Sequence, residues 1–208
     1  MLNLIDSFKL LKGATISNYK IVKSEKDLDS LNFPYYMKVS VSGHKTELGG
    51  MKKCNNLDEA KKNFKEMRKN FAKEDIIMQE PVDGVEIILG IKEDNVFGKL
   101  LLIGFGGIFA ESVKDISFRA LPIERSEIEK MIKELKLYPV LVSRKKFAID
   151  KFVDLAEKVS KLNIKEADFN PVILNEKDAF IVDARIQLWL LSFTSIEFNS
   201  RRESEIKD

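Results

Sequence analysis

The sequence predicts an α+β protein built as two lobes, on three observations. First, the middle of the chain carries short apolar runs, IIMQE, VEIILGI and KLLLIGF, divided by Pro81, Asp83-Gly84, Asp94-Asn95 and Gly98. Connections that short predict antiparallel hairpins, because a parallel crossover needs a dozen or more residues. Second, helical periodicity flanks this stretch: Ala60, Phe64, Met67 and Phe71 before it, and Ile128, Met131, Ile132 and Leu135 after it. Third, a β-rich segment between helical ones predicts two lobes with a boundary between Met78 and Gly84. The expected division is residues 1–80, residues 81–190 and a tail at 191–208.

The elements follow in order. Leu4, Ile5, Phe8 and Leu11 share one face of a short helix that Gly13 stops. Tyr19 to Val22 reads as a strand. Ser24, with Asp27 three residues on, caps a short helix. After Pro34, Tyr35 to Val41 is rich in strand formers. SGHKTELGG, residues 42–50, is a loop. Ile116 to Leu121 is a further strand. Ser126 and Glu129 predict a capping box, and Ile149 to Leu162 a second helix with Phe152, Val153, Ala156 and Val159 inward. PVIL and AFIVD close the body across a turn at Asn175 to Asp178. RRESEIKD has no apolar period and is expected to fray.

Composition excludes several classes. With 44% hydrophobic residues the chain is no disordered protein, and a net charge of +2 with interleaved signs predicts no nucleic-acid footprint. One cysteine, Cys54, rules out an internal disulfide and a cysteine metal cluster, and the reducing cytoplasm is the expected compartment. The first residues lack a signal-peptide pattern, and Leu188 to Phe193 is far too short to span a membrane.

Several residues are candidates for chemistry. His44 is the only histidine, which disfavours a histidine metal site. A lone histidine is most often a satisfied surface group. This one stands beside Lys45 and ahead of Gly49 and Gly50, where backbone N–H groups and a cation suit phosphate and an imidazole could accept a phosphoryl group. Lys38, inside YYMKVSV, either faces water at a strand edge or points into a cleft toward an anion. GFGG, residues 104–107, is neither a P-loop nor a dinucleotide fingerprint. Asn170 and Asp183 come together if their segments pair, and their oxygens suit Mg²⁺; turn capping is the plainer alternative.

Taken together, FPYYMKVSVSGHKTELGGMK, MQEPVDGVEIILGI, LIGFGGIFAESVKDISFRALP, EADFNPVIL and IVDARI resemble, in order, the β subunit of ADP-forming acetyl-CoA synthetases, the NDP-forming acyl-CoA ligases. The resemblance runs from about residue 4 to residue 186. It implies an ATP-grasp fold, with ATP or ADP clasped between two α+β lobes. It implies that Lys38 meets the nucleotide, that Glu80, Pro81 and Val82 form the linker whose backbone pairs with adenine, and that Glu86 lies near the ribose or phosphates. Asn170 and Asp183 match the Mg²⁺ ligands, and His44 the phosphate-accepting histidine. Glu111, Asp115 and Arg119 fall in a patterned stretch without assigned roles.

The same resemblance implies a CoA-binding α subunit as partner, in an α2β2 heterotetramer, and the reaction acyl-CoA + ADP + phosphate = acid + CoA + ATP. Acyl-CoA and phosphate would be handled through that partner; no membrane takes part. A succinyl-CoA ligase-like β subunit and a non-catalytic ATP-binding regulatory module are the alternatives. The sequence departs from the family pattern at YPVLVSRKKFAID, where a GxRG-like turn is missing and Arg144 is the candidate stand-in. The linker is also about one residue short, and Glu47 replaces an aspartate.

Overall fold

A computed structural model of the chain describes residues 1–42, 49–107, 113–143 and 146–189. Four strands, β1 (Tyr19–Val22), β2 (Tyr35–Val39), β3 (Met51–Cys54) and β4 (Ile76–Gln79), form a small antiparallel sheet in the order β1-β4-β2-β3. A helix, α2 (Leu57–Asn70), covers one face of it. Ala60, Phe64 and Met67 meet Met37, Cys54, Ile76 and Met78 in one apolar cluster. The helix starts where Asn56 accepts from the Glu59 N–H and the Glu59 carboxylate accepts from the Asn55 N–H, so its first turn is closed from both sides. Ser24 and Asp27 make the expected capping box, on a 3₁₀ turn over Glu25–Leu28.

The larger sheet has six strands: β5 (Val85–Asp94), β6 (Gly98–Phe105), β7 (Ile116–Ala120), β8 (Glu166–Leu174), β9 (Ala179–Ile181) and β10 (Arg185–Gln187). Their order is β10-β8-β5-β6-β7, with β9 also pairing with β8. The β5–β6 hairpin turns where expected. The Asp94 carboxylate accepts from the Val96 and Phe97 N–H groups, and Gly98 takes φ of 71°, which favours glycine. Helices α3 (Arg125–Lys133) and α5 (Ile149–Ser160) lie on one face of this sheet, with the short α4 (Tyr138–Val142) between them in sequence. Ile87, Leu89 and Ile91, Leu101, Ile103 and Phe105, and Phe169, Val172 and Leu174 alternate inward toward the helices. The opposite face is left for other uses.

Two expectations change. The capping box at Ser126 is absent: α3 begins at Arg125 after Glu124, with no side-chain cap. Arg125 instead bonds Asp154 at 2.6 Å and Glu157 at 3.3 Å, tying the start of α3 to α5. And although α1 (Leu4–Leu10) was expected within a 1–80 lobe, its apolar face packs into the core of the larger sheet. Leu2 N–H donates to Ile186 O, Ile16 bridges to Ile181, and Thr15 Oγ1 donates to Asp178. The small sheet has one face under α2 and the other toward a cavity, so an apolar helix stripe finds its cover in the larger core. Among the described residues no helix is long and apolar enough to cross a membrane. Cys54 is buried, and burial pushes its thiol pKa up, so it is poorly reactive. Residues 191–208, expected to fray, lie outside the described residues.

Candidate functional site

Alternation along the small sheet decides which side chains face the second lobe. Tyr35, Met37 and Val39 of β2 are buried, with Tyr35 and Met37 in the α2 cluster; Tyr36 and Lys38 take the other face. On β4, Ile76 and Met78 face α2 while Gln79 turns toward a cavity of about 290 Å³. Lys38, Gln79, Tyr36 and Met51 form one wall of that cavity. The connection Glu80, Pro81 and Val82 forms its end, and Glu86, Pro171, Ile173 and Val182 of the larger lobe form the opposite wall. Apolar and aromatic side chains make up much of this lining, with Lys38, Gln79, Glu80 and Glu86 as its polar groups.

Lys38 is only 4% exposed. Its ammonium donates to Gln79 Oε1 at 2.6 Å and to Val182 O at 2.8 Å, so it stitches the small sheet to the end of β9. The alternative of a solvent-facing lysine is thereby corrected: the β2 face it occupies is roofed by the second lobe. Glu80 anchors the linker. Its N–H donates to Asn18 O, its carbonyl accepts from Ser17 Oγ, and its carboxylate accepts from Asn18 Nδ2 at 2.9 Å and from the Tyr35 hydroxyl at 3.4 Å. Burial first, and then that carboxylate, raise the Tyr35 pKa. Glu80 N–H is thus already used, and Pro81 has none, which leaves Val82 N–H as the linker donor at the cavity.

Asn170 and Asp183 lie on facing segments, β8 and the stretch between β9 and β10. Val172 pairs with Ile181 and Asp168 with Arg185, and the same register carried across the unpaired residues 182–184 sets Asn170 level with Asp183. On its other side β8 bulges: Ile87 pairs with Val172 but Leu89 with Phe169, so Asn170 and Pro171 together face Ile88. The bulge keeps Phe169 and Val172 both inward while turning Asn170 out to the open face, where it is exposed. Asp183 accepts from the Ala184 N–H at 2.9 Å. Among the described residues no group of three acidic, histidine or cysteine side chains is placed to hold a metal. Neither residue lines the cavity of about 290 Å³, but their neighbours Pro171 and Val182 do. Two oxygen donors suit a cation that brings its other ligands with a substrate, as Mg²⁺ does.

A larger cleft, about 670 Å³, lies at α3, α4 and α5, but no buried lysine and amide converge there. A separate depression of about 260 Å³ is lined by Ile88, Gly90, Asp168 and Arg185.

A family model described as the ATP-grasp domain matches residues 13–188. The chain belongs to the ATP-grasp family. The β subunit of acetate–CoA ligase [ADP-forming] I of Pyrococcus furiosus is 33% identical over 201 residues, covering 86% of this chain and 87% of that one. Acetate–CoA ligase [ADP-forming] II of Archaeoglobus fulgidus is 34% identical over 175 residues, but this ATP-grasp chain spans only 26% of its length. Among solved structures, acetyl-coenzyme A synthetase 1 of Ca. Korarchaeum cryptofilum aligns with a TM-score of 0.73 at 29% identity, covering 89% of this chain and 92% of that one. That structure holds coenzyme A and Mg-AMPPCP, with its phosphohistidine segment pointing towards the nucleotide-binding site.

The remaining candidates of this ATP-grasp chain separate. His44, Lys45, Glu47, Glu111 and Arg144 lie outside the described residues. Gly49 takes φ of 69°, and Gly50 O accepts from Val39 N–H, so the loop returns to β3 immediately before the cavity residue Met51. Asp115 and Arg119 are absent from the cavity wall and act as tethers. The buried Asp115 carboxylate accepts from the Lys136 and Leu137 N–H groups, both at 2.8 Å. Arg119 grips Glu134 with two hydrogen bonds of 3.0 and 2.7 Å, and Ser117 Oγ donates to the same carboxylate.

Arg119 first, then Ser117, hold the Glu134 carboxyl below its ordinary value of 4.5. A depressed carboxyl stabilises the fold above 4.5 and loses that contribution as pH falls through its folded value. Glu134→Gln should therefore melt a few degrees (roughly 1–3 °C) below the wild type near neutral pH. The gap should close in acid; thermal scans across pH check this.

Sequence reasoning missed the use of GFGG. Gly106 N–H donates to Glu86 O, and Gly107 has φ of 61°. A Cβ on Gly107 would stand 2.7 Å from Glu86 Oε2, so the glycines let this turn lie against Glu86 at the cavity edge. Gly107→Ala should cost about 1–2 kcal/mol in urea denaturation and push Glu86 aside. The glycine run itself was the readable signal, but of its glycines only Gly107 takes a positive φ.

Proposed function

We propose that this chain is the nucleotide-binding β subunit of an ADP-forming acyl-CoA synthetase. In the net reaction, acyl-CoA, ADP and phosphate give the free acid, CoA and ATP. The observation that carries the reading is the convergence on one cavity of a buried lysine, the linker Glu80–Val82 and Glu86, with Pro171 and Val182, the chain neighbours of Asn170 and Asp183, in its wall. The names of the Pyrococcus and Archaeoglobus relatives, and the Mg-AMPPCP held by the Korarchaeum structure, support it.

ADP would lie with its base between Ile173 and the small sheet, its amino edge toward the linker and its N1 toward Val82 N–H. Its phosphates would run toward Lys38, Asn170 and Asp183, with Glu86 beside the ribose. Mg²⁺ held by Asn170 and Asp183 would offset the negative charge of the phosphates. Lys38, fixed by Gln79 and Val182, adds a preorganised cation, and the apolar walls limit water. His44 would receive the phosphoryl group from a phosphohistidine of a CoA-binding α subunit, breaking one P–N bond and forming another. It would then yield the group to the terminal oxygen of ADP, with Lys45, Gly49 and Gly50 steadying the phosphate. An α2β2 assembly in the cytoplasm completes the proposal.

The test is phosphorylation of the chain by Mg-ATP. The reading expects one acid-labile, base-stable phosphate per chain, lost in His44→Ala. A wild-type chain that never labels, with ATP or with a phosphorylated α subunit, contradicts the relay.

A further inference from the structure

Among the described residues one buried polar atom near the cavity has no partner: Gln79 Nε2, on a residue only 1% exposed. Its orientation is fixed. The Lys38 ammonium has donors only, so the amide oxygen must be the atom that faces it, at 2.6 Å, and the NH₂ must face away. Buried polar groups in folded proteins are almost always paired, and an orphan calls for a ligand or a role. Gln79 lines the cavity and directly precedes the linker Glu80–Val82, so a ligand in the cavity is the partner within reach.

We infer that the Gln79 carboxamide is a base-reading group that donates to N7 of a purine. This deepens the nucleotide reading of the same cavity and rests on it. An amide NH₂ needs an acceptor. Adenine offers N1, N3 and N7; N1 is matched by Val82 N–H, and N3 lies on the sugar side. N7 adjoins the amino group that the linker would hold. Pyrimidines have no equivalent atom there. One side chain thus does two jobs: its oxygen positions Lys38 for the phosphates, and its nitrogen selects a purine ring.

The experiment is calorimetric titration of the chain with Mg-ADP and with Mg-7-deaza-ADP, in which N7 is replaced by C–H. The wild type should bind ADP about tenfold more tightly, the effect of one lost hydrogen bond to a buried donor. Gln79→Glu keeps an oxygen for Lys38 but removes the donor, and should no longer favour ADP over the deaza analogue. Wild-type chain that binds the two ligands equally overturns the inference while leaving the nucleotide site standing. A wild-type chain that binds neither overturns both. If Gln79→Glu fails to fold, the two wild-type titrations decide the matter alone.

Discussion

Asp183→Asn is expected to reduce the affinity for ADP in Mg²⁺ to the value measured in EDTA, and to slow phosphoryl transfer at least a hundredfold. The substitution keeps an oxygen for the Ala184 N–H, so the local backbone is not disturbed. What it removes is the single carboxylate of the Asn170–Asp183 pair, set by the register of β8 against β9 and β10. A neutral pair binds a hard divalent cation poorly, and a metal that spans protein and phosphate supplies several kcal/mol of charge stabilisation. Titration with ADP with and without Mg²⁺ reads the first effect, and decay of the labelled chain on adding ADP reads the second. Asn170→Ala should act in the same direction but less strongly, since it withdraws a dipole and not a charge. Unchanged Mg²⁺ dependence in Asp183→Asn would remove the pair from the site.

The second large effect belongs to Lys38. Lys38→Met should weaken ADP binding by roughly 30- to 150-fold, about 2–3 kcal/mol, the scale of a charge-assisted hydrogen bond made in a dry site. Its effect on folding should be much smaller. The ammonium is buried at 4% exposure, so the folded state already bears its desolvation, and a methionine of similar length fills the space. The losses are the bonds to Gln79 Oε1 and Val182 O, which join the lobes. Calorimetry beside a thermal scan separates the two quantities. A large fall in melting temperature with unaltered ADP affinity would make Lys38 a stitch between lobes and nothing more.

What could be read in advance follows a physical line. The β5–β6 hairpin was legible because its determinants are local: alternating apolar residues, Asp94 to cap the turn and Gly98 to complete it. The helix from Leu57 was legible because its period and cap lie within one stretch. Lys38 was ambiguous because alternation tells that it opposes Met37, but not what covers that face. The cover is Val182, 144 residues away. The placement of α1 failed for the same reason: an apolar stripe shows that a helix is buried, not under which sheet. That the segments of Asn170 and Asp183 pair was legible because a short connection joins β8 to β9, whereas the bulge that turns Asn170 outward depends on β5 and was invisible. Gln79 escaped notice since glutamine in an apolar run signals nothing until its neighbour's charge fixes which end is free.

We propose that a nucleotide lies between the two sheets. Diffraction from crystals of the chain grown with Mg-ADP tests it most directly. The account predicts the base against Val82 and Ile173, with the phosphates reaching Lys38 and a metal touching both Asn170 and Asp183. A cavity closed over without ligand, or ADP bound on another face with Asn170 and Asp183 apart, would contradict it.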